Sequence, residues 1–165
     1  MPLEPSTCVP NRPPRLNGFS YVGLYQYFLT ICTDRRKACF RDKPAATWMT
    51  TQIAHFFEAR HFAVLAFCVM PDHVHLVIQG LTDDADLKAV MHDWKLITGF
   101  AWKQRTGSRL WQEGYYDHVL REDDSIVAVV RYVMNNPLRA GLVAEGTSYL
   151  SRVPPDTATK SWPML

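Results

Sequence analysis

The chain has 165 residues, 47% hydrophobic and 21% charged, with 18 Lys and Arg against 16 Asp and Glu for a formal net charge of +2. That suits one folded domain with a real core. No apolar run approaches the roughly 18 to 20 residues that span a bilayer, and the N-terminal MPLEPSTCVPNRPPRLNG lacks the apolar stretch of a secretory leader, so a cytoplasmic protein with no membrane partner is expected.

Residues 1–18 hold five of the eleven prolines and no periodicity, the pattern of a flexible arm. SYVGLYQYFLTICT, residues 20–33, is aromatic and β-branched and predicts a long first strand. After the polar loop DRRKACFRDKP, apolar residues at Trp48, Met49, Ile53, Phe56 and Phe57 predict a helix over 45–60 packed on one side. His61 to Met70 reads as a second strand and His73 to Gln79 as a third, with Pro71 marking a bend, bulge or edge between them.

Thr82, Asp83 and Asp84 offer helix caps. Leu87, Val90, Met91, Trp94, Ile97 and Ala101 supply an apolar stripe for a helix over about 84–103. YYDHVLR, residues 115–121, predicts a fourth strand. A last helix over about 126–136 is expected to stop at Pro137, with a short further turn over 138–143. The tail 151–165 shows no pattern, so the organisation is a flexible arm (1–18), one folded domain (19–150) and a C-terminal tail (151–165).

The second and third strands are joined too tightly for a crossover and should pair antiparallel. The order strand, helix, strand, strand, helix, strand, helix then predicts an α+β fold: a ferredoxin-like antiparallel sheet with helices packed on one face. Such a sheet can keep its other face for a ligand.

Four cysteines, at 8, 32, 39 and 68, form no C-x-x-C pair, which argues against a zinc knuckle. Cys32 and Cys68 sit inside strand patterns as small core residues. Between Lys88 and Arg121 there are six Lys and Arg against three Asp and Glu, interleaved with Trp94, Trp102, Trp111, Tyr115 and Tyr116. That mixture suits a nucleic-acid surface and equally a solvated helix face over core aromatics.

FCVMPDHVHLVIQG, residues 67–80, carries the main question. Side chains alternate along a strand, so His73, His75 and Val77 share one face and Val74, Leu76 and Ile78 the other. Two imidazoles roughly 6–7 Å apart at Cβ can converge on one ion; they can also be two histidines on a polar strand face. On the last helix Tyr132 and Asn136 are one turn apart on one face. Asn135 is three from Tyr132 and stays open as the polar partner. A core tyrosine and a helix-ending asparagine would look the same.

PDHVHLVI, then WQEGYYDH, then RYVMNNPLRAGLV resembles, in that order and over residues 20–150, the single-tyrosine HUH transposases and within them the REP-associated tyrosine transposases. The resemblance implies a ferredoxin-like sheet carrying the histidines with a catalytic helix laid against it. It implies cleavage and rejoining of single-stranded DNA near a hairpin through a covalent 5′-phosphotyrosine. Carried over by position, Tyr132 is the nucleophile, and His73, His75 and Asn136 hold a divalent metal, Mg²⁺ or Mn²⁺.

Lys95, Lys103, Trp111, Tyr115, His118 and Arg121 are candidate DNA contacts, the bases among them for phosphates and the aromatics for stacking. Oligomeric state varies among branches of the family, so neither monomer nor homodimer is implied. Two other readings remain: a non-catalytic nucleic-acid binder of the same fold, and a His-x-His metal-dependent hydrolase that uses water and needs no tyrosine.

Overall fold

A computed structural model describes residues 16–121, 124–142 and 151–152, so most of the arm and of the tail lie outside the described residues. Five strands, β1 (Gln26–Cys32), β2 (Phe62–Met70), β3 (His73–Gly80), β4 (Tyr116–Leu120) and the two-residue β5 (Ser151–Arg152), form one sheet in the order β4-β1-β3-β2-β5. Every neighbouring pair is antiparallel. Among the described residues three α-helices complete the fold: α1 (Lys43–Phe56), α2 (Leu87–Thr106) and α3 (Ile126–Arg139). β1, α1 and β2 make a split β-α-β unit with β3 between the two strands, which is the ferredoxin-like arrangement.

β3 is buried along almost its whole length on both faces. Val74, Leu76 and Ile78 join Tyr27, Leu29 and Ile31 of β1 and Phe67 and Val69 of β2 in the larger core, which α1 and α2 cover with Met49, Ile53, Met91 and Trp94. Val77 joins Phe28, Ala66, Cys68 and Met70 in a second cluster, which α3 covers with Val129 and Val133. The crossover helices therefore pack on one face, as expected, while α3 lies across the other, on the side of the histidines.

A register shift between Val64 and Ala66 makes a bulge in β2. It changes the phase of the strand, so that Leu65 and Ala66 both face α3 and the following Cys68 and Met70 stay on that side. Pro71 and Asp72 form the two-residue connection between Met70 and its partner His73, and the Asp72 carbonyl accepts from the Thr33 backbone N–H at 3.0 Å and hydroxyl at 2.9 Å.

Several boundaries differ from expectation, and α1 spans Lys43–Phe56 rather than 45–60. β1 begins at Gln26 rather than near residue 20. α2 begins at Leu87, capped by the Asp86 carboxylate, which accepts from the backbone N–H groups of Lys88 and Ala89. Its inward stripe ends with Thr98 and Trp102, leaving Ile97 exposed; Thr98 is accommodated because its hydroxyl donates to the Trp94 carbonyl and accepts from Trp111 Nε1.

α3 runs through Pro137 to Arg139. Pro137 has no N–H to give the Val133 carbonyl, a loss that falls in the last turn, where the helix is about to end. The helix ends two residues later, at Arg139, in a Schellman turn: Gly141, at φ +68°, donates to the Leu138 carbonyl and Leu142 to that of Pro137.

Gly80 closes β3 where no side chain fits. A Cβ there would lie 2.1 Å from the Gly23 carbonyl oxygen, a backbone atom. Gly80→Ala is therefore expected to destabilise the domain by about 2–3 kcal/mol, seen as a thermal midpoint roughly 5–10 °C lower; an unchanged midpoint would contradict this packing.

Candidate active site

His73 and His75 project from β3 toward α3 and are 4% and 1% exposed, so they are buried and not free on a polar surface. Their Nε2 atoms face each other at 3.1 Å. Each outer nitrogen is anchored. His73 Nδ1 donates to Asp72 Oδ1 at 2.6 Å, and the other carboxylate oxygen accepts from Arg36 Nε at 2.9 Å. His75 Nδ1 lies 3.0 Å from Thr30 Oγ1, its cross-strand partner on β1.

One assignment of the protons satisfies all of these contacts. The Asp72 carboxylate keeps the His73 proton on Nδ1, so His73 Nε2 is a bare acceptor. His75 then donates from Nε2 and accepts the Thr30 hydroxyl at Nδ1. Moving the His75 proton to Nδ1, with Thr30 turning from donor to acceptor, leaves two lone pairs aimed at one point. Such a pair attracts a cation, and outer-nitrogen anchoring of this kind orients metal-binding histidines.

Burial pushes the His75 pKa down to about 3, helped by the neighbouring His73 and Arg36 and opposed by Asp72. The hydrogen bond from His73, with the charges of His73 and Arg36, holds the Asp72 carboxyl below its usual range against its partial burial. The centre thus consists of a neutral imidazole and a carboxylate-anchored one.

α3 supplies the remaining groups. The Tyr132 ring, half-buried, stands edge-on to Phe28 at 6.0 Å and to His75 at 6.2 Å between centroids. The Arg139 guanidinium lies over the same ring at 5.1 Å. Asn136 is 7% exposed and its amide nitrogen is buried with no partner, while Asn135 is exposed. Of the two asparagines, it is Asn136 that turns inward. Among the described residues no third His, Cys, Asp or Glu joins the histidines.

The candidate DNA contacts divide between the two faces. The Lys95 ammonium donates to the Gln112 and Gly114 carbonyls and so braces the 109–115 loop. Trp111 is buried in the larger core. Tyr115 packs half-buried on that same side. Lys103 lines an open groove of about 820 Å³ between α2 and the loop, with Lys88, Phe100 and Arg109.

His118 lies on the α3 side of β4, opposite Phe28, with Nε2 3.3 Å from Asp124 Oδ2. Arg121 is exposed just beyond β4. Sequence reading missed Asp72, Thr30, Arg36 and Arg139. Asp72 adjoins His73 in the chain and Arg139 falls seven residues after Tyr132, on the same helical side. Thr30 and Arg36 become visible only through strand register and loop path.

Three comparisons bear on this arrangement. The family described as "Transposase IS200 like" matches residues 21–136. A Haemophilus influenzae protein named as a candidate REP-associated tyrosine transposase is 28% identical over 138 residues, covering 76% of each chain. The structure of a REP-associated tyrosine transposase bound to a REP hairpin is similar with a TM-score of 0.61 at 20% identity, over 79% of this chain and 76% of that one. A candidate transposase from Deinococcus radiodurans gives 0.53 at 19% identity, over 74% and 96%. The fold matches these enzymes, and a family match across most of the domain, with one tyrosine beside a histidine pair, makes the chain a member of the IS200-like, single-tyrosine transposase family.

Proposed function

We propose that this transposase cleaves and rejoins single-stranded DNA near a hairpin, in a metal-dependent transesterification that passes through a covalent 5′-phosphotyrosine on Tyr132. The observation that carries the reading is the convergence of the two Nε2 atoms, 3.1 Å apart, beside the ring of Tyr132. The donor set fits a divalent cation: two neutral nitrogens anchored from behind, and a buried amide whose nitrogen lacks a partner. Asn136 has the residue type and position for the third ligand. An ion held by His73, His75 and Asn136, Mg²⁺ or Mn²⁺, would supply Lewis-acid charge to the non-bridging oxygens of the scissile phosphate.

The chain's own residues do the rest. Phe28 and His75 restrain the Tyr132 ring from the sheet side, which limits the directions its oxygen can take. Tyr132 Oη forms the new bond to phosphorus as the bond to the 3′ oxygen breaks. The phenolic proton passes through solvent to the departing 3′-hydroxyl. The phosphodiester is exchanged for a phosphotyrosine ester of similar energy, so a 3′-hydroxyl can reverse the step without ATP.

Lys103, Arg121 and His118 are the proposed phosphate contacts; Lys95 acts by holding its loop. The hairpin in the complex of the similar structure supports hairpin DNA as the partner here. No helix among the described residues is long and apolar enough to cross a membrane, in keeping with the proposed cytoplasmic location.

Labelled hairpin-bearing single-stranded DNA with Mn²⁺ is expected to give a denaturation-resistant protein–DNA adduct. Tyr132→Phe or EDTA should abolish it. Binding without an adduct would point to a non-catalytic binder, and cleavage that survives Tyr132→Phe to a water-using hydrolase.

Asp72→Asn keeps the size of the anchor but removes its charge. It should weaken Mn²⁺ binding, measured by calorimetry, about 10- to 100-fold; an unchanged affinity would remove Asp72 from the site.

The depressed pKa of His75 also predicts acid sensitivity. Unfolded, this histidine takes up a proton below about pH 6.5; folded, it stays neutral down to about 3. Between those values the unfolded state binds more protons, so the stability present above pH 6.5 is lost as pH falls. Thermal midpoints should drop across that window, and His75→Gln should flatten the slope.

A further inference from the structure

The histidine face is covered unevenly. α3 packs its apolar residues over β2 and β3, whereas at the β4 edge the side chains of Tyr116 and His118 remain partly open to solvent. Strand register links that edge directly to the site. Thr30 of β1 is paired with His75 on one side and with Tyr116 on the other. Residues directly opposite in neighbouring antiparallel strands point to the same face. Tyr116, Thr30 and His75 therefore form one row across the sheet.

Two ring contacts agree with this placement. Phe28 stacks on His75 at 5.5 Å and meets Tyr116 at 6.5 Å, edge to face. Two strand spacings put the Tyr116 backbone roughly 10 Å from that of His75. Alternation along β4 sends the preceding Tyr115 to the α2 side. Of the two adjacent tyrosines, Tyr116 is the one beside the histidines.

We infer that Tyr116 is a stacking platform for an unpaired base of the DNA strand, flanking the phosphate held at the histidine pair. The inference rests on the proposed reading of this face as a single-strand DNA site. A phosphate near the histidines must carry its neighbouring nucleotides away over some part of the sheet. The α3 half of the face is filled by aliphatic packing. The β4 half offers a rigid, partly exposed ring supported edge-on by Phe28, with His118 one pair further along the strand.

Stacking of this kind accepts any base, because every base has a π face, and depends little on salt. A phosphate contact would show the opposite behaviour: indifference to whether a base is present at all, and a steep salt dependence. That contrast separates a platform from a merely structural tyrosine or a phosphate ligand.

The test uses the full chain on a Tyr132→Phe background, which cannot form an adduct. Two probes are compared in Mn²⁺ buffer: a 15-mer of oligothymidine, and a 15-mer of the same charge made wholly of abasic nucleotides. Tyr116→Ala should lower affinity for oligothymidine about tenfold and leave the abasic strand unchanged, with the same salt slope for both proteins. Tyr116→Phe should retain the preference for bases.

Equal loss on both probes, no loss on either, or no preference for oligothymidine in the parent would each overturn the inference. Circular dichroism and thermal melts identify a Tyr116→Ala protein that has not folded. Tyr116→Trp then provides the deciding variant: it keeps a π surface and should preserve or raise the preference for bases, and its failure to do so counts against the platform. Adduct formation by the wild type, measured separately, reports on the Tyr132 chemistry, so either idea can fail without the other.

Discussion

The site depends on a central strand that is buried on both faces. β3 sends three aliphatic side chains into the core under α1 and α2, and on its other side it carries two imidazoles under α3. Hydrophobic packing on one face fixes the register of the strand, since a slip by one residue would exchange valine and leucine for histidine in the core. The same register places Thr30 against His75 and Cys32 against His73. The packing that stabilises the domain therefore also sets the position of each imidazole.

Burial creates a polar problem that the structure resolves locally. An imidazole removed from water needs partners for both nitrogens. The outer nitrogens use Asp72 and Thr30, and the inner ones are left with each other. Desolvation keeps His75 uncharged, while Arg36 balances the Asp72 carboxylate. The inner nitrogens therefore face each other at 3.1 Å, each ring supported from behind.

The two faces of the molecule carry different chemistry. The histidine face holds the tyrosine, the inward asparagine and the row that ends in Tyr116. The α2 side carries the groove lined by Lys88, Lys103 and Arg109 with exposed Phe100. Between them the 109–115 loop is tied to the end of β1: Gln112 donates to the Cys32 carbonyl and Trp111 bridges Thr33. Cys32 is the partner of His73, so this loop is continuous through backbone hydrogen bonds with the strand end beside the site.

The amino-acid sequence by itself determined the elements that local periodicity controls. The strand pair around Pro71 and Asp72, the alternation that puts His73 and His75 on one face, and the helical spacing of Tyr132 and Asn136 all follow from short-range geometry. Tertiary structure decided what depends on register and packing across distant segments. It turned Asn136 inward and Asn135 outward, buried Trp111, and engaged Lys95 with loop carbonyls. It brought Thr30 and Arg36 to the histidine pair and chose Tyr116 over Tyr115 for the site face. The physical reason is that periodicity states which residues share a side of one element, whereas the bulge in β2, the pairing of β1 with β3 and β4, and the seat of α3 determine which sides meet.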